Sequence, residues 1–234
     1  MASNLSRKAL KQDKFAVEVE HTVDFFAAHR PQAIRYGGIA LAVILIAGIA
    51  WFFYSSRRSA RQQVLGQAMT LVTAPVGAAQ GSGISFPSDA AKDDAVNKAL
   101  TKITADYAGS EEAYTAEYYL AGKDIEKGRL DDARKKYQDV IDHANANQAS
   151  LAKLALAQAD LAQNRTGDAS RLLKELMDHP TDMVSKEQAT IDYAQAIAPA
   201  QPDEARKLLT PLANTPSDIS SIAGVALSSL PNKK

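Results

Sequence analysis

The residues with the most potential for chemistry in this 234-residue chain are its histidines and its adjacent pairs of acids. Histidines bind zinc when they are spaced as ligands, but His21, His29, His143 and His179 are scattered and lack partners at such a spacing. The acid pairs stand where helices are expected to begin: Asp93-Asp94, Glu111-Glu112 and Asp131-Asp132. At these positions carboxylates interact favourably with the helix dipole, which accounts for them without a role in acid–base catalysis. We therefore predict a non-enzymatic protein without a metal or a cofactor.

Other patterns exclude further classes of function. The glycine-rich stretch from Gly77 to Gly83 lacks the lysine and the following helix of a phosphate-binding loop. Asn164-Arg165-Thr166 has the form of a glycosylation sequon, but asparagine and threonine are also expected in a turn between helices. The chain has no cysteine, and its 27 basic residues balance its 27 acidic residues. These counts exclude disulfides and thiolate metal sites, and they predict no nucleic-acid partner.

The most apolar segment of the chain is the run from Gly37 to Phe53, which contains no charged residue. A helix over 36–54 would be roughly 28 Å long, close to the ~30 Å hydrocarbon core of a bilayer. Tyr36 at one end and Trp51 and Tyr54 at the other suit the two headgroup regions. A buried helix of a soluble core is the alternative, but such a helix would usually carry polar residues on one face. We predict a single, uncleaved membrane anchor over 36–54.

Residues 1–35 form a predicted basic, helical arm with an apolar stripe of Phe15, Val19, Val23 and Phe26. The arm either lies on an anionic leaflet or is a solvated or partner-bound helix, and both interpretations stay open. Three arginines that follow the anchor slightly favour a cytoplasmic carboxyl side. The six basic residues of the arm and the ease with which long domains translocate favour a cytoplasmic amino terminus instead.

The carboxyl part of the chain is a repeat with a step of 36 residues. Alanines coincide at one position, and large apolar residues coincide four and seven positions later, in the segments Asp131 to Ile141, Gly167 to Met177 and Asp203 to Ala213. Each segment follows another predicted helix, over Glu111 to Lys127, Ser150 to Gln163 and Ser185 to Ile197. This pattern predicts helix hairpins that stack, because each hairpin alone leaves an apolar face exposed.

The first hairpin resembles the tetratricopeptide repeat at Leu120-Ala121, Gly128, Ala133, Tyr137 and Val140, although Glu117 stands where that family has an aromatic residue. An earlier, degenerate hairpin is predicted from Arg57 to Val72 and from Asp93 to Tyr107, and a capping helix from Ser217 to Leu230. The fold class is therefore all-α, with one transmembrane helix and an α-solenoid of about three and a half hairpins. The predicted domains are the arm (1–35), the anchor (36–54), a juxtamembrane helix with a glycine-rich loop (55–92) and the repeats with their cap (93–230).

A basic arm, one anchor and a small repeat domain together are similar to the ancillary subunits of the SecYEG translocon, whose repeat domain is shared with a cell-division coordinator. The resemblance implies a single-pass protein of the bacterial inner membrane, with a cytoplasmic amino terminus and periplasmic repeats. It implies protein partners, namely translocon subunits, periplasmic chaperones or exported chains, and leaves the oligomeric state unknown. A scaffold for cell-wall synthesis or division is the alternative function.

In tetratricopeptide-like hairpins the first helices line a groove that binds partners. Carried onto this chain by position, the groove residues are Thr115, Tyr118, Gly122, Glu126, Leu154, Gln158, Thr190 and Ala194. Tyr114, Tyr118 and Tyr119 form an aromatic cluster near these positions, which either fills the core between repeats or faces the groove. The groove lacks a basic clamp for a peptide carboxylate.

Overall fold

The computed structural model describes residues 30–77 and 83–231, and the chain divides into two compact units, residues 1–60 and 61–234. The arm predicted over 1–35 therefore lies almost wholly outside the described residues. The described part is helical, and its one β contact is an isolated bridge between Val76 and Phe86. Its helices are α1 (Arg30–Thr73), α2 (Asp89–Asp106), α3 (Glu111–Glu126), α4 (Leu130–His143), α5 (Ala146–Ala162), α6 (Thr166–Asp178), α7 (Lys186–Ile197), α8 (Pro202–Asn214) and α9 (Ser220–Ser228).

Helix α1 contains the apolar segment of the first unit. It is the one helix in the described ranges that is long and apolar enough to cross a membrane, by length and composition. No residue of its most apolar window is buried, and the Trp51 side chain, for example, is 71% exposed. A core helix of a soluble protein would instead have most of this surface covered. The helix continues through the segment predicted from Arg57 to Val72 and ends at Thr73.

The 36-residue repeat is confirmed by the second helices of three hairpins, which begin at Leu130, Thr166 and Pro202. The repeated alanines, Ala133, Ala169 and Ala205, are completely buried. An alanine allows two helix backbones to approach closely, and extra methylenes at such a filled crossing typically cost ~1–3 kcal/mol. The large residues four positions later are also buried: Tyr137, Leu173 and Leu209.

The first helices of the hairpins begin at polar caps. Ser110, Asn145 and Ser185 each accept a hydrogen bond through the side chain from a backbone N–H of the first turn, in α3, α5 and α7. Helix α5 therefore begins one turn before the predicted start at Ser150, because Asn145 supplies the cap. At the start of α7 the Ser185 side chain accepts from the Gln188 backbone N–H, and the Gln188 side-chain amide donates to Asp192 rather than back to the cap.

The predicted degenerate hairpin is formed by the last turns of α1 and by α2. Ala68 of α1 lies in one buried cluster with Val96, Leu100 and Ile103 of α2 and with Ala116 of α3. Helix α2 begins at Asp89, four residues before the predicted Asp93, because the Ser88 side chain caps it. The connecting loop is closed at its base by two backbone hydrogen bonds between Pro75–Gly77 and Phe86.

The turns of the first two complete hairpins use the same backbone conformation 36 residues apart. Gly128 has φ of 72° and Asn164 has φ of 60°, both in the left-handed region that ends many helices. Asparagine tolerates this conformation better than most residues with a side chain. The turn geometry thus accounts for Asn164 without any role as a glycosylation site.

The capping helix is α9, shorter at both ends than the predicted 217–230. Its Ala223 and Ala226 share a buried cluster with Ala194 of α7 and with Leu209 of α8. Its outer side differs from that of a polar cap, since Ile222 is 51% exposed and Val225 is 70% exposed.

Candidate functional site

The first-helix face, defined as the surface of α3, α5 and α7 that includes the eight predicted groove positions, is divided in two. Helix α3 packs beside α5, and α7 packs beside α9. Among the described helices, α5 and α7 have no contact of similar extent, and the segment 179–185 separates α6 from α7. The predicted positions on α3 and α5 therefore share one surface, and those on α7 belong to another.

The two positions predicted on α7 are buried. Thr190 is 7% exposed and donates its hydroxyl hydrogen to the carbonyl of Lys186, and Ala194 is 0% exposed. Ala194 is covered because α9 packs where a further first helix would stand. The 36-residue step predicted these two side chains on the groove, but in the structure they lie in the core rather than on a binding surface.

The positions on α3 and α5 keep solvent contact to different degrees. The Thr115 hydroxyl donates to the Glu111 carbonyl and accepts a hydrogen bond of 2.7 Å from the Gln148 amide, so it joins the two helices. Leu154 packs partly into the core, whereas Gln158 is exposed. Glu126 is exposed at the end of α3 and accepts a hydrogen bond of 2.7 Å from Lys123.

Tyr118 lies at the centre of three tyrosine rings. Its ring is 5.7 Å from that of Tyr119, at 90°, and 5.6 Å from that of Tyr137, at 62°. Tyr114 and Tyr118 pack against the main core, whereas Tyr119 is 38% exposed. Each interpretation of the tyrosine cluster therefore fits part of it. Tyr114 and Tyr118 fill the space between helices, and Tyr119 faces solvent.

A buried ion-pair arrangement recurs in the first two complete hairpins and is absent from our sequence predictions. Asp124 and Asp160, 36 residues apart, are 5% and 0% exposed. Each accepts hydrogen bonds from the arginine five residues later, Arg129 or Arg165, and Asp160 also binds Arg134 of the preceding hairpin. The signal was available in the sequence as the 36-residue recurrence of both the aspartate and the arginine.

The third hairpin lacks this arrangement, because Ala196 and Gln201 stand at the equivalent positions. A buried carboxylate is tolerated only when cations and hydrogen bonds compensate its lost hydration. The paired arginines therefore fix the turn geometry of two hairpins, and the third relies on the apolar contacts of α9.

Glu117 is the most perturbed carboxyl group of this surface. Burial, together with the negative charge of Asp139 and a hydrogen bond to it, raises the pKa of Glu117 from 4.5 to about 7. Lys136 and His143 oppose this shift. The group stands at the position where the tetratricopeptide pattern has an aromatic residue, which is uncharged. A proton on Glu117 supplies that neutrality below about pH 7.

In the part of the chain that the structure describes, no group of three or more His, Asp or Glu side chains is placed to hold a metal ion. The arrangement on α3 and α5 instead offers aromatic edges, a glycine and polar groups, with Glu126 paired to Lys123 at its end. Such a surface is suited to binding another protein by packing and hydrogen bonds.

We expect Glu117→Gln to change the pH dependence of stability. The pKa of Glu117 is higher in the folded chain than its ordinary value of 4.5. As the pH rises, the unfolded chain therefore loses this proton at a lower pH than the folded chain does. The contribution of Glu117 to stability therefore falls as the pH rises from about 4.5 to about 7. The amide avoids this loss, so the variant should be more stable than the wild type at pH 8 and similar to it at pH 4.

Thermal or urea unfolding of the repeat domain in the full chain, followed by circular dichroism, measures this difference. The matched control is Glu126→Gln, which removes an exposed carboxylate from the same helix and should not reproduce the gain in stability at pH 8. Parallel profiles of wild type and Glu117→Gln between pH 4 and pH 8 would contradict the shift.

Comparison with known protein families supports this description of the fold. The tetratricopeptide repeat-like domain family matches residues 34–210, which include the apolar part of α1 and the helices up to α8. Comparisons with curated proteins and with solved structures gave no significant match. Domains of this kind mediate interactions between proteins. The chain belongs to the tetratricopeptide repeat-like domain family.

Proposed function

We propose that this protein is a membrane-anchored docking subunit for protein export, an ancillary subunit that links the SecYEG translocon to periplasmic chaperones or emerging chains. The observation that carries the proposal is the presence of an exposed apolar helix and a tetratricopeptide repeat-like domain in one chain. The first feature suits a membrane anchor, and the second suits binding of proteins. The proposal treats the protein as a scaffold and assigns it no catalytic step.

A tethered docking surface acts through local concentration. An anchor beside a channel would hold the repeats within a few nanometres of an emerging chain. A second binding event then becomes nearly intramolecular, with an effective concentration on the order of millimolar for a short tether. Weak, exchangeable contacts on α3 and α5 would be sufficient under these conditions, and they would not retain the client after transfer.

The proposed location is the bacterial inner membrane, with the amino terminus in the cytoplasm and the repeats in the periplasm. The basic arm and the resemblance to translocon subunits support this orientation. Protease added to intact spheroplasts should then digest residues 88–234 and leave the arm intact. Digestion of the arm alone would place the repeats in the cytoplasm and overturn the orientation.

The second candidate is an envelope scaffold for cell-wall synthesis or division that makes no contact with the translocon. The sharing of this repeat architecture with a division coordinator favours it. The two functions require the same anchor and the same docking surface, so they differ only in the partner.

Affinity purification of the full chain in mild detergent tests the proposed function. We expect co-isolation of translocon subunits, with periplasmic chaperones or exported chains. Tyr119→Ala should reduce recovery of the soluble partners, because Tyr119 is the exposed ring on α3. Lys174→Ala, an exposed position on α6, is the matched control and should leave recovery unchanged. Repeated recovery of wall-synthesis or division proteins alone would contradict the export function.

A further inference from the structure

We propose that the surface around Gly122 binds a proline-rich segment in the polyproline II conformation. The site, called the tyrosine notch, consists of Tyr118, Tyr119 and Gly122 of α3 and Tyr137 of α4. The inference rests on the proposed docking function and names the chemistry of the segment that would dock there.

The three rings of the notch stand at steep angles to one another. Tyr118 meets Tyr119 at 90° and Tyr137 at 62°, with centroids less than 6 Å apart in both pairs. Edge-to-face rings produce ridges and intervening clefts rather than one flat plate. Because Tyr119 is 38% exposed, one side of this arrangement is open to a ligand.

Gly122 opens the floor of the notch. A Cβ atom at this position would lie 3.7 Å from the hydroxyl oxygen of Tyr137, a residue that is only 4% exposed. The buried, unpaired polar side-chain atoms of the described residues are Arg134 Nε and Asp160 Oδ2, so the Tyr137 hydroxyl is not sealed from solvent. The absence of a side chain at Gly122 therefore leaves the space beside the Tyr137 hydroxyl unfilled.

The three hydroxyl groups of the notch have unused hydrogen-bonding capacity. Within the described ranges, none of the Tyr118, Tyr119 and Tyr137 hydroxyls forms a hydrogen bond with another part of the protein. The Tyr118 and Tyr137 hydroxyls are hydrogen-bond donors at neutral pH, since burial raises the pKa of Tyr118 above its ordinary value and that of Tyr137 to about 12. A ligand with outward carbonyl groups would satisfy all three.

The charges near the notch argue against a charged ligand group. Lys123 is held by Glu126 and by Asp93, at 2.7 Å and 3.2 Å, so its charge is already compensated. Lys136 binds Asp124. Neither of these two lysines is therefore free to clamp a carboxylate or a phosphate. The notch instead selects for a neutral segment.

A polyproline II segment has the properties that these groups require. It has no internal hydrogen bonds, so its carbonyl groups point outward, and proline contributes no competing N–H. Its rings pack into aromatic-lined clefts, and little conformational entropy is lost on binding because the helix is preformed. An amphipathic helix would bring a backbone that is already hydrogen-bonded and would leave the tyrosine hydroxyls unpaired. Strand addition requires a sheet edge, and the described residues form no strand.

A labelled decaproline peptide and a Gly-Ser decamer of equal length are the probes, with the full chain in detergent micelles and fluorescence anisotropy as the readout. We expect decaproline to bind at least tenfold more tightly than the Gly-Ser peptide. Tyr119→Phe keeps the ring and removes one hydroxyl, so it should weaken decaproline binding by roughly 2- to 10-fold. Gly122→Leu fills the notch and should weaken it by more than about tenfold.

Gly224→Leu in α9 is the control for the glycine-to-leucine change itself, because no atom lies within 4 Å of its Cβ site. Both leucine variants gain helix propensity. If Gly122→Leu loses binding and Gly224→Leu keeps it, the loss cannot be assigned to unfolding. Equal affinity for the two peptides, absence of decaproline binding or unchanged binding by Gly122→Leu would each overturn the proposal. If decaproline fails to bind while translocon subunits still co-purify, only the ligand chemistry is wrong, and the proposed function stands.

Discussion

The structure depends on one constraint, namely that a single helix hairpin cannot bury its own apolar surface. Stacking solves this problem only where two helices cross closely, and the chain supplies an alanine at each crossing. Ala133, Ala169 and Ala205 are all completely buried, and the large side chains four residues later fill the space beside them. The same requirement explains both ends of the stack, where α1 contributes Ala68 to the first hairpin and α9 contributes Ala223 and Ala226 to the last.

The hairpins differ in how their turns are held, and this difference decides which surface is available. In the first two complete hairpins, a buried aspartate binds an arginine of the turn, and Asp160 also binds Arg134 across the hairpin boundary. In the third, α9 replaces these polar contacts with apolar ones and covers Ala194. The α3 and α5 side of the stack keeps an open face with tyrosines, a glycine and polar groups. The α7 side is closed.

Periodicity was sufficient to predict the helices, because the apolar positions of a hairpin must recur wherever helices cross. It predicted the second helix of each hairpin, the buried alanines and the degenerate first hairpin from residues of the sequence alone. The start of α5 was missed because 145–150 contains several polar residues that can cap, and only the structure shows that Asn145 does so. Thr190 and Ala194 were placed in the groove because the 36-residue step predicts where a side chain stands along its helix. The step does not predict which neighbouring helix covers that side chain. The raised pKa of Glu117 was not predictable, since it arises from the burial of its side chain and from Asp139 on a different helix.

The central claim is that an open face of tethered repeats docks proteins at the membrane. Photo-crosslinking in intact cells tests it most directly, with a photoreactive residue at Tyr119 on the open face, at Arg35 before the apolar segment and at Lys174 on α6. The account predicts that Tyr119 captures chaperones or exported chains, that Arg35 captures a membrane partner such as a translocon subunit and that Lys174 captures neither. Equal capture from Tyr119 and Lys174, or no protein captured from Tyr119, would contradict it.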